Sequence, residues 1–354
     1  MKKILFTGGG TPGHVTPNLA LIEKFQQEGW QLDYAGTAGG IEEKLIARIG
    51  VSFHPITSGK LRRYFSWQNF IDPFLISLGV VQAYLLCRKL KPNVIFSKGG
   101  FVSFPVVLGA WLNRIPIVAH ESDFTPGLAN KLVFPFANKI AVSFAETQRF
   151  FKNPDKLLVT GSPLRAAIFA GSSQKGREFC GFNSDKKIIV IMGGGLGSAV
   201  INEAIKRELK SLLSQFQIVH LCGQGKATNY REGPGYKVFE YLHEELFDVL
   251  ACADIIVSRS GANSVFELLA LKKPCLFIPL STKASRGDQI DNAKYCKERG
   301  LSAVLLEEKL ATESIFTHLC EMETQLNSYQ QVLNNYQTSD AINMLYDCLL
   351  KLSA

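Results

Sequence analysis

An α/β protein made of two facing Rossmann-like domains, each on a parallel sheet, is what this sequence predicts. Short apolar runs rich in β-branched residues alternate with helix-length segments along the whole chain. Four of those runs open into glycine-containing turns that lead into a helix: Gly8 to Gly13, Gly99 and Gly100, Gly193 to Gly197, and Ser258 to Gly261. The pattern restarts at Lys187, and 354 residues is a natural length for two cores.

In the first half, Lys3 to Phe6 reads as a buried strand and Pro17 to Gln27 as a helix, with Thr16 as N-cap, Pro17 in its first turn and Gly29 past its end. Between them, Gly8, Gly10 and Gly13 satisfy a GxGxxG spacing, with Asp33 about where a ribose-binding carboxylate would fall. Alone, that spacing is a weak signal. Gln31 to Tyr34 gives the next strand and Ile41 to Ile49 a helix. Val94 to Phe96 is a strand ending in Ser97-Lys98-Gly99-Gly100-Phe101-Val102-Ser103, and Ile115 to Ala119 is another that delivers His120-Glu121-Ser122-Asp123 into a loop. Asn138 to Val142 and Leu157 to Val159 continue the strand count, and Gly161 to Arg165 reads as the domain boundary. Loops at the carboxyl ends of parallel strands converge on one crevice, so those of this half can share a site.

The segment Ser58 to Trp67, continued by Phe70, Phe74 and Leu75, sets cations beside clustered aromatics. That mixture suits a membrane interface, with rings at headgroup depth and basic groups on anionic lipid; Arg62, Arg63, Phe65 and Trp67 are the contact candidates. A loop and helix packed into the core is the alternative.

Residues 171 to 187 read as a surface loop. Lys187 to Met192 is then a strand, Gly193 to Ser198 a glycine turn and Ala199 to Leu213 a long helix, followed by strands at Gln217 to Cys222 and Lys237 to Tyr241. The most informative stretch is Asp254 to Gln289. Strand Ile255 to Val257 and turn Ser258 to Gly261 lead into helix Ala262 to Leu271, whose Val265, Phe266, Leu268, Leu269 and Leu271 form an apolar face while Asn263, Ser264 and Glu267 remain available. A helix start presents amides and the positive end of its dipole, which favours a diphosphate. Glu267 accepts hydrogen bonds only, when ionised, and suits a pair of sugar hydroxyls. Cys275 to Pro279 is the following strand, and Asp288 and Gln289 stand at the start of the helix Ile290 to Arg299, where an amide can bond a ligand hydroxyl. From Glu313 the chain is mostly helical, and a last helix is expected to pack on the first domain.

Composition narrows the classes. The chain is 46% hydrophobic and 20% charged, with a net charge of +8 that calls for an anionic partner or surface. No nucleic-acid-binding motif stands out, so an acidic membrane surface or a phosphorylated substrate is the better match. Met1-Lys2-Lys3 precedes too short an apolar run for a signal peptide, and no run of about 18 apolar residues predicts a span. The eight cysteines are scattered with no CxxC pair and read as buried thiols of a reducing cytoplasm. With no DxD pair, HExxH or clustered His and Cys, neither a metal nor a cofactor is expected. The lack of GxSxG and GxxxxGK[ST] argues against a hydrolase elbow and a Walker-type NTPase. His14, directly after the glycine turn, is the sharpest candidate for moving a proton near neutral pH. His120 and Glu121 are a second candidate pair, or serve only to fix their loop.

Taken together, GGGTPGH, GKLRRYFSWQN, SKGGFVSFP, HESDFTPGLANK, TGSPLR, MGGGLGS, SRSGANSVFELLALKKP and PLSTKASRGDQIDNA run nearly end to end in one order. Through them the chain resembles the MurG family, the peptidoglycan transferases that move N-acetylglucosamine from UDP-N-acetylglucosamine to lipid I to form lipid II, and looks most like its Gram-positive branch. The resemblance implies a GT-B fold. Residues 1–162, completed by the C-terminal helix 338–354, would hold lipid I at the membrane, and 163–337 would hold UDP-N-acetylglucosamine. It implies a peripheral protein on the cytoplasmic face of the cell membrane, with cell-wall synthesis proteins as further partners and no nucleic acid.

By position, the resemblance puts Thr11, Pro12, Gly13 and His14 at the sugar and diphosphate, and Arg165 and Gly195 at the nucleotide sugar. Tyr241 and Leu242 would lie beside uracil, Ala262, Asn263, Ser264, Val265, Phe266 and Glu267 at diphosphate and ribose, and Gln289 at the N-acetylglucosamine hydroxyls. Family members often carry Gly at Pro12, Asn at Asp123, Tyr at Phe101 and Ser at Gly195; Asp123 sets a charge near a sugar or diphosphate, and Gly195 leaves only backbone contacts. The expected chemistry is inversion. An acceptor hydroxyl attacks the anomeric carbon opposite UDP, with His14 as base and Glu121 second to it, while helix starts and backbone amides take up the charge of the leaving diphosphate.

Two other classes stay open on the residues alone. An NAD-dependent oxidoreductase would use GxGxxG and Asp33, and a nucleotide-sugar binding module would hold its ligand without turnover. Another inverting GT-B transferase with a different acceptor is a nearer alternative, because loop shape sets acceptor choice.

Overall fold

Ile4, Leu5 and Phe6 have no solvent exposure. Leu5 joins an apolar cluster with Ile95, Val106 and Ile117, whereas Ile4 and Phe6 join another with Leu21, Tyr34 and Phe96. A strand of a parallel sheet covered by helices is buried on both faces, which is why the run is continuous and not alternating. The computed structural model describes residues 1–59, 68–194 and 197–354. It divides into one unit of Met1–Arg165 with Ser339–Ala354 and another of Ala166–Thr338.

The first unit runs β1 (Lys3–Thr7), α1 (Pro12–Gln27), β2 (Gln31–Gly36), α2 (Ile41–Ala47), β3 (Ser52–Pro55), α3 (Gln68–Leu90), β4 (Val94–Ser97), α4 (Ser103–Leu112), β5 (Ile117–Glu121), α5 (Leu128–Val133), β6 (Lys139–Val142) and β7 (Leu157–Val159). Its sheet is parallel throughout in the order β3-β2-β1-β4-β5-β6-β7, so the winding reverses between β1 and β4. The second unit runs α6 (Ser173–Cys180), β8 (Lys187–Met192), α7 (Ala199–Gln215), β9 (Phe216–Leu221), β10 (Tyr236–Phe239), α8 (Glu245–Cys252), β11 (Ile255–Ser258), α9 (Ala262–Ala270), β12 (Cys275–Phe277), α10 (Asp288–Glu298), β13 (Ser302–Val304), α11 (Ile315–Thr324) and α12 (Leu326–Asn335). Its parallel sheet has the order β10-β9-β8-β11-β12-β13, and the reversal falls between β8 and β11. Ligands of such sheets bind beyond the carboxyl ends of the two strands at the reversal. The last helix, α13 (Ala341–Leu352), belongs to the first unit, where Leu345 and Leu349 enter the cluster around Phe6 and Tyr346 meets Phe25.

Three local expectations are corrected. Helix α1 begins at Pro12 behind an extended Thr11, and Pro17 lies inside it. Pro12 needs no N–H in the first turn, and Pro17, one turn further in, gives up only the bond that its N–H would make to the Gly13 carbonyl. Residues 171–187 hold the helix α6: Ser172 Oγ accepts from Lys175 N at 3.4 Å, and Gly181 closes the helix at φ 65°. The Gly, Ser and Lys content that made this stretch read as a loop includes Gly176, which permits close packing instead: a Cβ there would sit 2.1 Å from the Asp248 carbonyl oxygen on α8. Strand β5 runs on to Glu121, so His120 and Glu121 are buried strand residues and not loop residues.

Helix α3 was not foreseen as one 23-residue element. Its Asp72, Ala83 and Cys87 are buried, and a Cβ on Gly109 of α4 would lie 2.7 Å from the Ala83 Cβ. The opposite face exposes Ile71, Phe74, Leu78, Val81 and Leu85 at spacings of three and four. The window Ile71–Leu90 reaches a mean hydropathy of 1.3, enough by length and composition to cross a membrane, although no continuous apolar run marks it in the sequence. Six of the eight cysteines are buried, and all eight are free thiols.

Candidate active site

At the reversal in the first unit the glycine turns after β1 and β4 touch. Gly9 N donates to Gly99 O at 3.3 Å, and a Cβ on Gly100 would lie 2.2 Å from the Gly9 carbonyl oxygen. Gly10 and Gly100 adopt φ of 85° and 87°, which a side chain would resist. The fully buried Glu42 of α2 fills the space beside this turn: its Oε2 accepts from Gly10 N at 3.2 Å and its Oε1 from Thr37 N at 3.0 Å. A carboxylate of the chain therefore already sits on an amide that a dinucleotide diphosphate would need. Asp33 is the third residue of β2 and bonds His54 Nε2 at 2.7 Å, away from the strand's carboxyl end. Neither residue is placed to serve a dinucleotide.

His14 lies in the first turn of α1. Its Nδ1 is 3.0 Å from the Gly9 carbonyl oxygen and 3.3 Å from Thr11 Oγ1. A carbonyl only accepts, so Nδ1 carries the hydrogen and Nε2 carries the lone pair.

The ends of β4 and β5 hold a buried polar cluster. His120 Nε2 donates to the Gly161 carbonyl oxygen at 3.1 Å, which turns the Nδ1 lone pair to Lys98, whose Nζ donates at 2.7 Å. Lys98 also donates to Ser122 Oγ. Burial lowers the Lys98 ammonium to about 7, against the opposing pull of Glu121 and Asp123. Burial, helped by Lys98, pushes His120 well below the ordinary imidazole value. Glu121 accepts from Asp123 N at 3.0 Å, Gly127 N at 2.8 Å and Asn130 Nδ2 at 3.0 Å. Burial, and next the charge of Asp123, raise its carboxyl above the usual range, while those three donors work the other way. Its oxygens thus shape the turn from Ser122 to Gly127.

In the second unit, the turn after β11 opens α9, whose N-cap is Gly261 with no side chain returning to the first amides. The helices α6, α7 and α11 of the same unit are capped by Ser172, Ser198 and Ser314. Ala262, Val265 and Phe266 turn into the core, while Asn263, Ser264 and Glu267 are only half-buried on the other face. Ser260 Oγ donates to the Gln289 carbonyl oxygen at 2.8 Å, and Asn292 Nδ2 to the Ser260 carbonyl oxygen at 3.1 Å, tying α10 to the start of α9. Gln289 Oε1 accepts from Leu280 N at 3.0 Å, which turns its Nε2 toward Gly261.

Arg259 clamps this reversal. Its Nη2 donates to Ser198 Oγ at 2.7 Å, its Nη1 to the Ile278 carbonyl oxygen at 3.0 Å, and it pairs with Glu307. Three loops at the carboxyl end of the sheet are fixed by one guanidinium. Arg259, Lys98 and Glu42 were missed as site residues; the available signal was a charged residue beside a glycine turn at or near the end of an apolar strand.

The expected residues fall into groups. Thr11, Gly13 and His14 stand after β1, Glu121 and Asp123 at and after β5, and β4 alone separates those strands. Residues 262–267 and Gln289 come together in the second unit. Tyr241 and Leu242 follow β10, an edge strand two removed from β8; Tyr241 is 55% exposed and stacks edge-on with His243, whereas Leu242 is buried in the core. Arg165 ends the first unit. Gly195, Arg62, Arg63, Phe65 and Trp67 lie outside the described residues.

Residues 4–142 match the glycosyltransferase family 28 N-terminal domain, and residues 188–344 match the family's C-terminal domain. The chain belongs to glycosyltransferase family 28. Among family 28 relatives, it is 53% identical over 317 residues to the UDP-N-acetylglucosamine–N-acetylmuramyl-(pentapeptide) pyrophosphoryl-undecaprenol N-acetylglucosamine transferase of Legionella pneumophila (strain Lens), covering 89% of this chain and 87% of that one. It is 49% identical over 346 residues to the transferase 2 of that name from Bacillus cereus (strain ATCC 10987 / NRS 248), covering 98% of each. The crystal structure of MurG from Acinetobacter baumannii shares the fold of this family 28 chain with a TM-score of 0.77 at 24% identity, over 99% of this chain and all of that one.

Proposed function

We propose that this family 28 chain transfers N-acetylglucosamine from UDP-N-acetylglucosamine to lipid I, giving lipid II. The observation that carries this reading is near-full-length likeness, at about half of all positions, to transferases named for that reaction. The second unit takes the donor. Its diphosphate lies on the amides at the start of α9, its ribose on Glu267 and its N-acetylglucosamine on Gln289, with Arg259 holding the loops in register. Tyr241 and Leu242 lie beside the uracil, and Arg165 and Gly195 meet the nucleotide sugar.

The first unit takes the acceptor. The lipid I hydroxyl gives its proton to His14 Nε2 as its oxygen attacks the anomeric carbon. The bond from that carbon to the UDP oxygen breaks, its electron pair leaves with the diphosphate, and the configuration inverts. Helix-start amides stabilise the departing charge without reorganising. Thr11, Pro12 and Gly13 border the sugar and diphosphate, and Asp123 is offered to the acceptor on the turn that Glu121 shapes.

The stripe Ile71, Phe74, Leu78, Val81 and Leu85 seats the protein on the cytoplasmic face of the membrane, with the basic residues of a chain of net charge +8 drawing it to anionic lipid. The buried Asp72, Ala83 and Cys87 keep α3 a layer of the unit, so the helix lies along the surface and does not cross it. Incubation with radiolabelled UDP-N-acetylglucosamine and a lipid I analogue tests the reaction. Label must pass to the lipid; UDP-sugar binding with no transfer would leave only a binding module.

A further inference from the structure

Lys98 is 1% exposed at the end of β4, and no step of the proposed reaction uses it. A buried ammonium is costly unless its hydrogens are taken up and its charge is matched. Both conditions are met from β5 and the turn after it. His120 Nδ1 and Ser122 Oγ accept from Nζ, and Glu121 and Asp123 supply the opposite charge. On its other side, its Cβ lies 3.1 Å from where a Cβ on Gly8 would stand, in the turn that leads to His14. The carboxylate beside that turn, Glu42 of α2, is engaged by Gly10 N and Thr37 N. Lys98 thus joins the end of β4 to the turn Ser122–Gly127, the segment carrying Asp123.

We propose that Lys98 is a positioning residue for the acceptor: its ammonium, donating to His120 and Ser122, fixes the turn on which Asp123 meets the lipid-linked sugar. The inference rests on the first unit's reading as the acceptor unit, and it assigns a function to a buried cation that would otherwise only weaken the fold. The charged form is the working one. Deprotonation removes the positive charge that faces Glu121 and Asp123 and loosens the turn, so acceptor use declines as pH rises past about 7.

The test uses the full chain, with Lys98→Met and Lys98→Arg. For Lys98→Met we expect the acceptor KM to rise roughly tenfold or more while the donor KM stays within about twofold, and the alkaline fall in kcat/KM for the acceptor to vanish. Lys98→Arg, charged at every accessible pH, is expected to recover part of the lost activity and to move the alkaline fall upward. Hydrogen exchange at the amides of Asp123 and Gly127 is read in parallel: it should quicken in Lys98→Met and slow again in Lys98→Arg. Unchanged exchange in Lys98→Met, or an equal rise in both KM values with the pH profile kept, overturns the proposal. Quickened exchange with an unaltered acceptor KM keeps Lys98 as the anchor of the turn and overturns the acceptor assignment instead.

Discussion

The His14 imidazole donates its Nδ1 hydrogen to the Gly9 carbonyl 3.0 Å away, so the glycine turn itself selects the nitrogen that can take a proton. A base needs its lone pair directed outward, and a main-chain acceptor is a dependable way to hold the other nitrogen. His14→Ala should lower turnover by about 100-fold or more while UDP-N-acetylglucosamine binding is retained. Steady-state rates with titration calorimetry of the donor check this. Normal turnover in the variant would remove His14 as base.

Glu42 holds the same turn from below. Removing it takes the carboxylate from the amides of Gly10 and Thr37 and empties the space of a fully buried side chain, so Glu42→Ala should cost about 2 kcal/mol or more of stability. Glu42→Gln keeps one acceptor oxygen and should cost less. Urea midpoints rank the pair, and turnover should fall in the same order because His14 depends on the position of Gly9.

Much of this was legible in the sequence, and the reason is physical. Parallel strands buried on both faces leave continuous apolar runs, and glycine turns mark the strand ends nearest a ligand, so the two sheets and the stretch 255–289 can be read directly. Close approach defeated the reading at Gly176, where a glycine fitted one helix against another and looked like a loop. Pro17 misled in the opposite sense, because an interior proline imitates a helix start. Lys98, Glu42 and Arg259 escaped notice because a charge in a turn or at a helix start gains its partners from elements distant in sequence: Ser122, Gly10 and Ser198 lie 24, 32 and 61 residues away.

Stability and activity should respond to pH in opposite directions around Lys98. Its ordinary value is 10.5 and its folded value about 7, so between those limits the unfolded chain holds a proton the native chain lacks, and stability rises with pH. His120 adds the same sign on the acid side: lowered below 6.5, it stays neutral in the native chain where the unfolded chain protonates, so stability falls as pH drops through 6.5. Glu121 opposes both, because a raised carboxyl loses its contribution as pH climbs through the folded value. Between pH 7 and pH 10, wild-type urea midpoints should therefore gain on those of Lys98→Met. A constant difference across that window would contradict the burial of a charged amine.

The exposed stripe of α3 predicts where the protein meets lipid. Each large apolar side chain that leaves water is worth about 1.5–3 kcal/mol, so three changes on one face should be decisive. Phe74→Ser, Leu78→Ser and Leu85→Ser together should abolish co-sedimentation with phosphatidylglycerol vesicles and leave transfer to a short-chain, water-soluble lipid I analogue unchanged. Since none of the three is buried, the fold should survive, and undiminished pelleting would refute the assignment.

The start of α9 predicts how the leaving diphosphate is stabilised. Gly261 supplies no side-chain cap, in contrast to the serines before α6, α7 and α11, so the first-turn amides are directed at whatever occupies the space before them. Gly261→Pro would alter that entry, and Glu267→Gln would weaken the grip on ribose; the second change should raise the donor KM about tenfold with kcat less affected, as expected for binding shared by ground and transition states. Charge stabilisation by oriented amides needs no added cation, so transfer should continue in excess EDTA. Loss of transfer on chelation, restored by a divalent cation, would shift the role from the helix start to a metal and would require ligands that the sequence does not cluster.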